Sequence, residues 1–97
     1  GGDKERVFVL SIPNYGYTPF GVLNREGITT EIAAYNQVIK RITNDKGIWY
    51  FDITAISEQG LSDTALVAAD RLHPSAQQYA LWVAEILRDQ LFIDSLR

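Results

Sequence analysis

The chain has 97 residues, 46% of them hydrophobic and 22% charged, with a formal charge of -3; this is enough for one small globular unit and not for two. Nine basic residues stand against twelve acidic ones with no basic run, which excludes the clustered Lys and Arg that nucleic-acid backbones require. The absence of cysteine excludes disulfides and thiolate chemistry, and apolar runs such as Val7-Phe8-Val9-Leu10 are far too short to span a bilayer.

Arg6 to Ile12 reads as a buried strand. The run is continuous, β-branched and aromatic, and it stops at Pro13. Continuous rather than alternating hydrophobicity predicts cover on both faces, as in a parallel sheet. Residues 13–27 read as a loop rich in Pro, Gly and Asn. Thr30 to Asp45 reads as an amphipathic helix. Ile32, Tyr35, Ile39 and Ile42 form its apolar stripe, Thr30 its cap, Glu31 a favourable first-turn charge, and Lys46-Gly47 its stop.

A second strand is predicted at Ile48 to Ile53, then a mixed connection over residues 54–69 with a helical turn near Thr64 to Val67. Ser75 opens a second long helix, with Ser75 and Gln78 matching a capping box. Its expected stripe is Tyr79, Trp82, Val83, Ile86 and Leu87, and Leu91 to Leu96 either extends it or docks as a tail. The order strand, helix, strand, helix implies an α/β fold with two parallel strands joined by a right-handed crossover. Two strands leave both sheet edges open, whereas a complete doubly wound domain has about five strands. On that count the expectation is a part of a larger domain.

The chemistry concentrates in Asp70-Arg71-Leu72-His73-Pro74-Ser75, which holds the single histidine. A carboxylate three residues before an imidazole can accept a hydrogen bond from one ring nitrogen and leave the other to act as a base. Pro74 fixes the backbone after His73 and biases it to an extended conformation. Read blandly, Asp70 is a turn former and His73 merely precedes a helix. Ser11, Ser57, Ser62, Ser75 and Ser95 all lack a nucleophile-elbow context. One histidine, no cysteine and scattered carboxylates make no metal site. The loop after the first strand lies where open α/β sheets bind ligands. Asn14, Tyr15 and Tyr17, with Phe20, are therefore candidate substrate contacts. Asp52 reads as a turn or cap residue, and Trp49 and Trp82 as core or interface residues.

The string Asp70-x-Leu72-His73-Pro74-Ser75 resembles the last block of the SGNH, or GDSL, hydrolases. Val7 to Ile12 with Pro13-Asn14-Tyr15-Gly16, Tyr35-Asn36, and Tyr50-Phe51-Asp52-Ile53-Thr54 also fit that family, so the resemblance covers most of residues 6–90. It implies a three-layer, flavodoxin-like α/β fold, with residues 1–97 as the C-terminal β-α-β-α portion of a single hydrolase domain. It also implies His73 as general base, Asp70 as its orienting acid, an acetylated carbohydrate, an acyl lipid or a small ester as substrate, and no cofactor. The family's Gly-Asp-Ser nucleophile block and the oxyanion-hole blocks have no match here. The expected partner is accordingly an N-terminal remainder carrying the serine and the oxyanion donors, and the chain alone is expected to be inactive. A targeting signal would fall in that remainder, leaving localisation open. The competing expectation is a small α/β interaction module without catalysis, in which Asp70 and His73 are structural.

Overall fold

The computed structural model describes residues 7–97. The elements in chain order are strand β1 (Phe8–Leu10), helix α1 (Arg25–Asp45), strand β2 (Trp49–Phe51), a short helix α2 (Thr54–Ser57), helix α3 (Ala76–Leu87) and helix α4 (Gln90–Ser95). Single 3-10 turns occur at Tyr15–Tyr17, Val22–Asn24 and Thr64–Leu66. The chain is a small α/β protein whose two strands are parallel, with Phe8 opposite Trp49, Val9 opposite Tyr50 and Leu10 opposite Phe51. The start of the first expected strand, at Arg6, lies outside the described residues. Within them, both strands are shorter than the apolar runs that encode them, because pairing is lost beyond a few residues when only two strands meet.

Strand alternation places Phe8, Leu10, Trp49 and Phe51 on one sheet face. That face packs against the C-terminal helices. Phe51, Ile86 and Phe92 form the buried cluster, with Leu10, Trp49 and Ile93 against it. Phe92 is its centre, edge-on to Phe51 at 5.1 Å, to Trp49 at 5.3 Å and to Phe8 at 5.6 Å between centroids. Such edge-to-face pairs add about 0.5–1.5 kcal/mol each to area burial. The tail therefore docks. Asp89 breaks α3 from α4 by accepting the Phe92 N–H on its carboxylate (3.1 Å), an N-cap that turns the chain back onto the sheet.

Helix α1 is longer than its predicted bounds. It begins at Arg25, not Thr30, straight after a 3-10 turn, with Glu26 in its first turn. Thr30 is no cap; its hydroxyl donates to the Glu26 carbonyl one turn back (3.0 Å). Gly27 is exposed and costs only its ordinary helix propensity of about 1 kcal/mol, so it does not break the helix. The stop is as expected. Gly47 has φ +67°, its N–H donates to the Asn44 carbonyl, and the Ile48 N–H donates to the Thr43 carbonyl. Those two bonds are the paired closure that a left-handed glycine allows.

Three expectations about burial fail, for one reason. Phe8 is 42% exposed and Val9 and Leu10 only half-buried, so β1 is not covered on both faces. In α1 only Ile32 of the expected stripe is buried, while Tyr35 and Ile42 are exposed. In α3, Trp82 and Ile86 are buried, but Tyr79, Val83 and Leu87 are not. Each apolar surface is wider than the layer packed against it among the described residues. The radius of gyration, 14.6 Å, exceeds the roughly 13 Å of a compact chain of this length, in keeping with that partial cover.

Candidate functional site

Asp70 and His73 lie on one tight turn between the Thr64–Leu66 turn and α3. An antiparallel bridge of Val67 with Pro74 closes the turn at its base, with the Ala68 N–H donating to the His73 carbonyl (2.8 Å). At its tip the Arg71 N–H donates to the Ala68 carbonyl (2.9 Å), and Arg71 takes a left-handed φ of +68°. One oxygen of Asp70 accepts the backbone N–H groups of Leu72 and His73, both at 2.9 Å. The other is hydrogen-bonded to His73 Nδ1. The same carboxylate thus shapes the turn and holds the ring.

These bonds keep Asp70 ionised. The His73 ring bond is the largest cause, followed by the two backbone donors, and together they hold the carboxyl at about 2. An ionised carboxylate only accepts, so Nδ1 carries the proton and Nε2 of the neutral ring is the acceptor. No group among the described residues engages Nε2. The His73 side chain is 71% exposed, its outer edge open to solvent.

Beside the ring is a cavity of about 340 Å³ between the loop after β1 and the His73 turn. Ile12, Pro13, Tyr15 and Phe20 line it from one side, and Leu72, His73 and Pro74 from the other. The two loops are tied by the Phe20 N–H donating to the Arg71 carbonyl (3.2 Å). Gly21 lets the loop after β1 fold tightly on itself, since a Cβ there would meet the Tyr15 carbonyl oxygen at 2.1 Å. The floor is set by Gln78 of α3, which is buried. Its amide donates to the Leu66 carbonyl (2.9 Å) and accepts from Trp82 Nε1 (3.1 Å). The capping box is therefore half made. Ser75 Oγ accepts the Gln78 N–H (3.2 Å), but the Ser75 N–H goes to the Leu66 carbonyl and not to the glutamine.

The predicted substrate contacts separate. Tyr15 lines the cavity and is 41% exposed. Asn14 also lines it but is 1% exposed and fully engaged. Its Oδ1 accepts the Gly16 N–H, and its Nδ2 donates to Thr29 Oγ1 (2.8 Å) and Glu58 Oε2 (3.0 Å), so no polar atom is left for a ligand. Tyr17 is not on the cavity wall, and its ring faces the Arg25 guanidinium at 5.3 Å. Sequence reasoning gave Ile12, Leu72 and Gln78 only strand, motif and cap roles and passed over Thr18, yet all four line the cavity. Asn36 was also missed as an anchor. Its side-chain carbonyl accepts the Ile12 N–H (2.7 Å) and its amide donates to the Ile12 carbonyl (3.2 Å), fixing the exit from β1.

All five serine hydroxyls have structural partners. Ser11 Oγ donates to Asp52 and accepts the Ile53 N–H, Ser57 donates to the Thr54 carbonyl, and Ser62, Ser75 and Ser95 donate to the carbonyls of Gln59, Ala65 and Phe92. Asp52 also accepts the Thr54 N–H (2.9 Å), a local turn bond at the entry to α2, whose N-cap position is Ile53. Among the described residues no three His, Asp or Glu side chains group to hold a metal ion, and no helix is long and apolar enough to cross a membrane.

No family model matches the chain, and no solved structure matches it. A multidomain esterase of Ruminococcus flavefaciens is 35% identical over 77 residues. The matched stretch is 76% of this chain and 9% of that esterase's length. The chain is thus similar to a small region of an esterase-related protein.

Proposed function

We propose that this chain is the C-terminal portion of an ester hydrolase domain of the SGNH type, with His73 as general base and Asp70 as the residue that orients it. The observation that carries the reading is the Asp70–His73 Nδ1 hydrogen bond with Nε2 left free beside an open cavity. The similarity to a multidomain esterase supports it, as do the partly covered sheet and helix faces, which suit a chain that completes its layers with an N-terminal remainder.

On this reading the serine comes from that remainder, since every serine here is otherwise engaged. Its hydroxyl oxygen bonds to the ester carbonyl carbon while its proton passes to His73 Nε2. The C–O bond to the alcohol then breaks, and the leaving oxygen takes that proton. Water repeats the sequence on the acyl-enzyme, releasing the carboxylic acid and regenerating the serine. The oxyanion donors also belong to the remainder. Asp70 stabilises the imidazolium that forms in each half-reaction and does not itself change protonation.

The test is kinetic, on the full polypeptide that includes this chain. His73→Ala is expected to lower kcat by roughly 10³-fold or more, with labelling of a serine by a fluorophosphonate lost in parallel. Asp70→Asn is expected to cost less. Unchanged ester turnover in His73→Ala refutes the assignment and leaves the non-enzymatic interaction module.

A further inference from the structure

The cavity beside His73 has a chemical character that selects among esters. Its walls are the side chains of Ile12, Pro13, Phe20, Leu72 and Pro74 and the ring of Tyr15. Apart from His73 Nε2 and the Tyr15 hydroxyl, its polar side-chain lining is already spent inside the protein. Asn14 is engaged as described. Thr18 Oγ1 donates to the Tyr15 carbonyl (2.7 Å) and accepts the Gly21 N–H (3.1 Å). Ser57 Oγ accepts the Asn14 N–H (2.7 Å) and donates to the Thr54 carbonyl. Both ends of the Gln78 amide are bonded, to Leu66 and Trp82. No Asp, Glu, Lys or Arg lines the space.

A ligand rich in hydroxyls entering this space would give up bonds to water and find almost none in return, a loss that burial makes costly. An apolar chain would lose nothing and gain contact with six apolar side chains. Size narrows the choice further. The cavity holds about 340 Å³, roughly ten times the ~30 Å³ that one water takes in the liquid. The methyl of an acetyl group would leave most of it empty, whereas a chain of several carbons would use it.

We infer that this cavity is an acyl-chain site, and that the ester cleaved at His73 carries an apolar acyl group of four to eight carbons. The inference rests on the function proposed above and specifies its substrate. The ester carbonyl sits at the mouth, next to Nε2, and the acyl tail lies against Phe20 and Leu72. The alcohol part points outward, where solvent can solvate it.

The experiment measures kcat/KM for p-nitrophenyl acetate, butyrate, hexanoate and octanoate with the full polypeptide, its Phe20→Ala variant and its His73→Ala variant. Phe20 is 71% exposed, so its truncation leaves the core untouched. Each fully buried methylene is worth up to about fourfold, so the hexanoyl ester is expected to exceed the acetyl ester by at least about tenfold. Phe20→Ala is expected to lower that ratio about fivefold. An acetyl ester cleaved as well as the hexanoyl ester, with turnover still lost in His73→Ala, overturns the acyl-chain site and leaves the hydrolase reading standing. A chain-length preference unmoved by Phe20→Ala overturns this cavity as its source. Turnover unaffected by His73→Ala overturns the hydrolase reading and this inference together.

Discussion

Replacing Asn14 by alanine separates a residue that builds the site from one that binds in it. In the structure its side chain ties the loop after β1 to both α1, through Thr29, and the segment after α2, through Glu58. Truncation strands the Gly16 N–H, which sits on a buried residue, at about 1–3 kcal/mol. It also removes a bond to a carboxylate, worth about 1.5–3 kcal/mol, although Glu58 is part-exposed and recovers some of this from water. Thr29 recovers its partner in the same way. The expected net loss is about 2–4 kcal/mol. At a urea dependence of about 1–1.5 kcal/mol per molar, the unfolding midpoint falls by about 2 M. Asn14→Asp sharpens the test. It sets a second carboxylate about 3 Å from Glu58, so it should destabilise strongly at pH 7 and recover on acidification, since two carboxylates held that close cannot both stay ionised without cost. A midpoint shift under about 0.5 M for Asn14→Ala, or no pH dependence in Asn14→Asp, would show that the observed bonds do not hold the loop.

Three further outcomes follow from named contacts. Gln78→Ala leaves Trp82 Nε1 without its acceptor in a buried setting, so a loss of about 2–3 kcal/mol in urea unfolding and a changed near-ultraviolet Trp signal are expected; a loss near zero would mean the cavity floor does not depend on it. Arg71 holds a φ of +68°, so Arg71→Val should destabilise by at least about 1 kcal/mol while Arg71→Gly stays close to neutral, and equal effects of the two would argue against the left-handed turn. Asp70 is held at about 2 by the His73 ring and two backbone donors. A depressed carboxyl stabilises above its unfolded value of about 3.9 and loses that contribution as pH falls through its folded value. The urea-midpoint gap between the wild-type chain and Asp70→Asn should therefore close as pH falls from about 4 towards pH 2; a gap that keeps its full size at pH 2 contradicts the bond pattern.

What the sequence by itself determined is local. Asp70 and His73 are three residues apart, so one turn can bring carboxylate and imidazole together whatever lies around them. Gly47 ends α1 because only the residue's own φ is at issue, and Ser75 caps α3 because donor and acceptor are three positions apart. The parallel strands also follow from the order of elements, since a helical crossover permits little else. Burial was decided by the tertiary structure. Tyr35 and Ile42 repeat at helical spacing as Ile32 does, yet only Ile32 meets a packed layer, and periodicity marks a face without saying what covers it. Asn14 and Tyr17 carried the same loop signal, and the fold commits one to Thr29 and Glu58 and turns the other towards Arg25. The cavity belongs to this second class. Ile12, Phe20, Leu72 and Gln78 come from four separate stretches, and only the folding of α3 and the loop after β1 around the His73 turn brings them to one wall.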